Sequence, residues 1–424
     1  MLIMPTDAAG RTRLLPASIP FRYFGAASAF HLAAWALLAV APEGAWSFSA
    51  GLGAPLAALH ALTLGVLVMA AVGASLQLLP VATVQPVLSV RLAAAVWWLL
   101  VVSGAVLVAS MARADPGWAS AGALGVGAAL ALYAGLLATN LARARRSRAM
   151  TSFAWAALAG LVGVLATGPL LALHYRYGVF ADARPVAYAH LVLACFGFLG
   201  MFVCGFSYLL VSMFMVRSAP PERSQYLVLA LAALGVAGTV AALVAGAGGG
   251  WVAVAAVPGL AAAIVHSWQM LSLTARRRSR DAPWSLALMR VSWVALPLAV
   301  GLGAAIAAWD LRASLSVLFA LLLVLGWLLS FVLAIVLRIV PFLASVHAKV
   351  RRGRMPLASK LSPAGWAWTL AGLHLLAVAL LGAGVVLERD GLVRAAGLAG
   401  VGAAISLLAF LGGVLARARA GEAA

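Results

Sequence analysis

Two histidines open long apolar stretches of closely similar wording. One is His60-Ala-Leu-Thr-Leu-Gly65, running on to Gly73 and Pro80; the other is His190-Leu-Val-Leu-Ala-Cys-Phe-Gly197, running on to Gly205 and Ser212. Imidazole is expensive in hydrocarbon, so a histidine kept there reads as a site hypothesis by default. Neutral imidazole is also a common nitrogen ligand for copper and haem iron, and helical bundles hold such groups from facing helices. His60 and His190 are therefore the leading cofactor-binding and metal candidates. His31, in the middle of the first apolar stretch, and His174, beside Tyr175 and Tyr177, stand second. His266, His347 and His374 are expected to be structural or solvated. The bland alternative for His60 and His190 is an interfacial histidine bonded to a loop or a helix start.

Other chemistry is thinly supplied. All ten acidic residues, Asp7, Glu43, Asp115, Asp182, Glu222, Asp281, Asp310, Glu388, Asp390 and Glu422, fall outside the apolar stretches. An interior without carboxylates argues against a pump with acidic relays and against a proton-driven carrier, but not against a facilitator. Paired-carboxylate hydrolysis and two-metal phosphoryl chemistry are likewise unsupported. Cys195 and Cys204 are nine residues apart on one helix, on opposite faces, and read as inert packing residues that cannot pair. Met213 and Met215 diverge at a two-residue helical spacing, which favours packing over copper binding. Arg338 reads as a snorkelling residue or as a partner for an anionic group such as a haem propionate.

These residues must be positioned by membrane-spanning helices. The 424 residues are 65% hydrophobic and 9% charged, and apolar runs long enough to cross a bilayer recur throughout. Twelve such segments are expected, among them 55–80, 187–215 and 314–340 as the second, sixth and tenth. The fold class is thus an all-α polytopic membrane protein, with residues 1–424 forming a single transmembrane domain. The polar stretch before the first segment, with Arg11, Arg13 and Arg22, has no cleavage pattern after it and reads as leading into a retained helix.

The net charge of +19 follows membrane topology, not nucleic acid. With the N-terminus cytoplasmic, most of the 29 basic residues fall on the cytoplasmic face, as the positive-inside rule requires. The expected location is a bacterial inner membrane with both termini cytoplasmic. Basic loops such as Arg276-Arg-Arg-Ser-Arg280 then serve topology and lipid headgroups. The expected partners are the bilayer and respiratory-chain components, with no nucleic acid.

An internal repeat organises the segments. Gly73 precedes Pro80, Gly205 precedes Ser212, and Ala334 precedes Pro341, each by seven residues. These helix-ending positions are 132 and 129 residues apart. The pattern predicts three parallel four-helix units, approximately 20–145, 150–275 and 284–417, around a pseudo-threefold axis. The tenth segment carries Phe319 and Leu321 where the other two carry histidine.

The His60 and His190 segments, together with Arg338-Ile-Val-Pro-Phe342 and the opening Pro20-Phe-Arg-Tyr-Phe24, resemble stand-alone relatives of haem-copper oxidase subunit I and the NnrS family. That resemblance covers the whole chain. It implies twelve helices in three four-helix arcs, and a b-type haem, or alternatively copper, held on the periplasmic side by His60 and His190. The implied role lies in respiratory or nitric oxide metabolism. The departures are substantial, because there is no adjacent His-His pair and no His-x-His on the tenth segment, and Val192 stands where a second histidine of the sixth would be. A complete proton-pumping oxidase is therefore not expected. A small-molecule facilitator and a metal-free assembly subunit are the competing expectations.

Overall fold

The computed structural model describes residues 15–144, 148–275, 282–309, 311, 313–352 and 355–420, with only the backbone described for 349–352. Arg11, Arg13, Arg145, Arg146, Arg276, Arg277, Arg278, Arg280, Arg312 and Arg354, which contribute to the charge asymmetry, lie outside the described residues. So do Asp7, Asp281, Asp310 and Glu422.

Twelve helices among the described residues are long and apolar enough to cross a membrane. They are α1 (Ser18–Val40), α2 (Ala54–Thr83), α3 (Val90–Ala112), α4 (Pro116–Ala142), α5 (Ala149–Tyr177), α6 (Arg184–Met215), α7 (Glu222–Val244), α8 (Gly249–Ala275), α9 (Pro283–Trp309), α10 (Ala313–Ala348), α11 (Ala364–Val386) and α12 (Asp390–Ala420). Every described carboxylate sits at a helix end or in a connection; Asp115, for example, caps α4 by accepting the Gly117 and Trp118 amides. Burial ranks the helices. In their most apolar stretches α2, α6 and α10 are 67, 67 and 83% buried, against 11 to 44% for the rest. These three form the centre of the bundle, and the others present an apolar face to lipid.

The central helices share an irregularity. Each contains an eight-residue π-helical segment: Ala61–Val68, Leu193–Gly200 and Leu322–Leu329. The starts are 132 and 129 residues apart, the same steps as in the glycine and proline pattern. In all three the amide that closes the segment bonds five residues back, Met69 to Leu64, Met201 to Phe196 and Ser330 to Leu325. The π segment of α10 packs against those of α2 and α6. Such segments concentrate at functional sites, because the wider turn redirects everything after it.

A glycine sits at the same place in each π segment, and packing explains why. A side chain at Gly65 would collide with the Phe30 ring of α1, one at Gly197 would come 3.3 Å from the Gly160 Cα of α5, and one at Gly326 would come 3.0 Å from the Ala295 Cβ of α9. Small residues let helices approach closely where lipid supplies no hydrophobic drive.

The helix ends agree only in part with expectation. In α2 and α6 the chain turns through a left-handed valine, Val84 at φ 59° and Val216 at φ 52°. The next amide then returns to an equivalent carbonyl, Gln85 to Pro80 and Arg217 to Ser212. The tenth helix departs from this pattern: Pro341 lies inside it and the helix continues to Arg352, so the expected long loop from Ser345 begins as helix and His347 lies within it. Proline removes one amide donor and crowds the preceding turn, but deep packing permits the helix to go on.

Candidate functional site

His60 ends the first α-helical part of α2, directly before its π segment. Its Nδ1 lies 3.0 Å from the Leu56 carbonyl, so that nitrogen must carry the proton and donate. His190 sits three residues before the π segment of α6, with Nδ1 2.9 Å from Thr167 Oγ1 on α5. Thr167 spends its own proton on the Gly163 carbonyl at 2.9 Å, so His190 Nδ1 is again the donor. A neutral imidazole protonated at Nδ1 holds its lone pair on Nε2. Neither Nε2 has a hydrogen-bond partner among the described residues. Gly168 leaves room for the second ring, because a Cβ there would stand 3.2 Å from His190 Cε1.

Both residues are half-buried, each close to the π segment of its own helix. Their registers differ. Counted from the π segments, His60 matches Val192 and not His190, so the side chains leave their helices at angles about 200° apart. The start of α6 is anchored by Asp182, which accepts the Arg184 amide at 3.0 Å and pairs with its guanidinium at 2.9 Å. The side-chain hydrogen bonds from Arg184 hold the Asp182 carboxyl below its usual range.

The second-rank candidates are committed elsewhere. His31 is fully buried, and its Nε2 accepts the Trp35 indole N–H at 2.9 Å. His174 Nδ1 accepts the Phe180 amide at 3.2 Å, which closes the end of α5. Among the described residues no three His, Cys, Asp or Glu side chains converge as a metal cage.

Two histidines expected to be structural or solvated prove to be fully buried members of hydrogen-bonded networks. His374 Nε2 donates to Ser330 Oγ at 2.9 Å, and that hydroxyl donates to the Leu325 carbonyl in the π segment of α10. His266 bonds through Nδ1 to Tyr208 at 3.0 Å and lies 3.2 Å through Nε2 from Ser207. The available signal was a polar cluster, His266, Ser267 and Gln269, within one turn of an otherwise apolar helix. Arg338 is also held: its Nε donates to Ser285 Oγ of α9 at 3.0 Å, and its guanidinium lies over Phe214.

A cavity of about 700 Å³ opens among α2, α6, α7, α8, α9 and α10. Its lining extends from Phe48 and Leu311, in connections on the face opposite the chain termini, to His266, well inside α8. Neither His60 nor His190 borders it. No protein-family model matches the chain, and no curated protein matches it in sequence.

Proposed function

We propose that this membrane protein is a metal-binding relative of the haem-copper oxidase subunit I and NnrS type, holding one metal between His60 and His190. The observation that carries the reading is that both imidazoles are oriented through a donated Nδ1 proton and leave an unshared Nε2 lone pair. Metal-bound histidines are usually oriented through the opposite ring nitrogen in this way. Copper fits the two-imidazole pair better than a b-type haem, because the large cavity with space for a macrocycle borders neither ring. Without interior carboxylates among the described residues, the role is in respiratory or nitric oxide metabolism without acid-relay proton pumping.

The test is elemental analysis and a reduced-minus-oxidised optical spectrum of protein purified from copper- and haem-replete cells. One copper per chain is expected, lost in both His60→Ala and His190→Ala. Protein with neither copper nor a Soret band sinks the proposal, and full metal content in both variants refutes the ligand assignment.

A further inference from the structure

The cavity beside α2 and α6 to α10 is apolar over most of its lining, but two polar atoms there lack what they need. His266 Nδ1 faces Tyr208 Oη, and Tyr208 donates its own proton to Gln269 Oε1 at 2.6 Å. Nδ1 must therefore be the protonated nitrogen of the neutral ring, which puts the lone pair on Nε2. Among the described residues the one hydrogen-bond neighbour of that lone pair is Ser207, whose single proton is drawn to the Cys204 carbonyl at 2.7 Å against 3.2 Å for the imidazole. His266 thus presents an acceptor without a committed donor. Trp327 presents the converse: it is 1% exposed, lines the cavity, and its indole N–H has no acceptor among the described residues. Buried indole N–H groups nearly always find a partner, and an unmade bond there is destabilising.

The two groups lie at similar depth. His266 is seventeen residues into α8 and Trp327 fourteen into α10, about 25 and 21 Å along their helices. Trp327 and Phe196 form an aromatic wall of the cavity, their rings stacked at 5.7 Å and 25°. Aliphatic residues such as Val228, Val236 and Ala304 line the remainder.

We propose that this cavity binds a lipophilic phenol. The hydroxyl accepts from Trp327 Nε1–H and donates to His266 Nε2, the ring lies against Phe196 and Trp327, and the apolar tail runs toward Phe48 and Leu311. A saturated acyl chain would fill the same volume while leaving both polar groups unmatched. The site is separate from the His60 and His190 pair, and it stands or falls independently of the metal reading.

The experiment measures binding of 4-nonylphenol and its methyl ether, 4-nonylanisole, to the full chain in lipid nanodiscs. The ether can still accept from Trp327 but cannot donate to His266. Saturable binding of the phenol is expected, about tenfold tighter than the ether. Trp327→Phe keeps the stacking and should weaken both ligands several-fold. Ala304→Trp puts an indole where the apolar tail would run and should weaken saturable binding of both at least tenfold, while His266→Leu should erase the preference for the phenol. Equal affinity of the two ligands for the wild-type protein overturns the proposal, even if the His266 variant fails to fold. Binding to Ala304→Trp at the wild-type level would mean simple partition into lipid and overturns it too.

Discussion

A membrane histidine becomes a ligand candidate when the rest of its hydrogen-bonding capacity is already spent. His60 spends its proton within its own helix, but His190 depends on a hydroxyl from α5, and that difference can be tested. Thr167→Val removes the acceptor that orients the His190 ring and should weaken copper binding by about 10- to 100-fold, read by competition with a chelator. Thr63→Val is the matched control, because its hydroxyl bonds only the Leu59 carbonyl of its own helix; copper affinity should not change. The candidacy of His60 and His190 was legible from residue type and spacing. Which nitrogen of His190 is free was not, because its tautomer depends on an acceptor contributed by another helix. His266 was undervalued for the same reason: its partners Ser207 and Tyr208 lie on α6, some 60 residues earlier.

Within the helices, glycines that look alike in sequence have opposite consequences. At Gly122 of α4 a Cβ would lie 2.7 Å from the Leu107 amide nitrogen and 2.8 Å from its Cα, main-chain atoms of α3 that cannot move aside. At Gly135 of the same helix a Cβ would meet nothing within 4 Å. Gly122→Ala should therefore destabilise by about 1–3 kcal/mol, whereas Gly135→Ala should stabilise by about 0.5–1 kcal/mol through helix propensity. Reversible unfolding in mixed micelles measures both, and the same sign for the two would contradict this packing. The π segments were partly visible as a glycine at a repeated distance. Their geometry was hidden, because an apolar stretch has the same composition whether its amides bond back four residues or five.

For the whole molecule, the apolar composition and length of the segments give twelve spans, and an even number returns the C-terminus to the face of the N-terminus. The placement of basic residues in the sequence leads us to propose that this face is cytoplasmic. An alkaline phosphatase fused after Ala247, between α7 and α8, should be active in a bacterial host, and one fused after Ala219, between α6 and α7, inactive. The reverse result would invert the topology and place the candidate metal pair near the cytoplasmic face. The exposed contact between Arg394 and Glu43, 3.3 Å long, ties the start of α12 to the connection after α1. It contributes little to stability, because water screens such pairs.

What the amino-acid sequence determined by itself was the set of spans, the repeat distances of 132 and 129 residues and the exclusion of carboxylates from the interior, with two histidines singled out as candidates. All of these follow from local composition and periodicity, since a helix in lipid must satisfy its own backbone and remain apolar over its length. The tertiary structure alone decided that α2, α6 and α10 form the centre, that α10 runs through Pro341, and that Thr167 of α5 orients the His190 ring. It also decided that a cavity lined chiefly by α2 and α6 to α10 reaches His266 and Trp327. Space between helices and the direction of a lone pair are properties of packing, and residues far apart in the chain create them together.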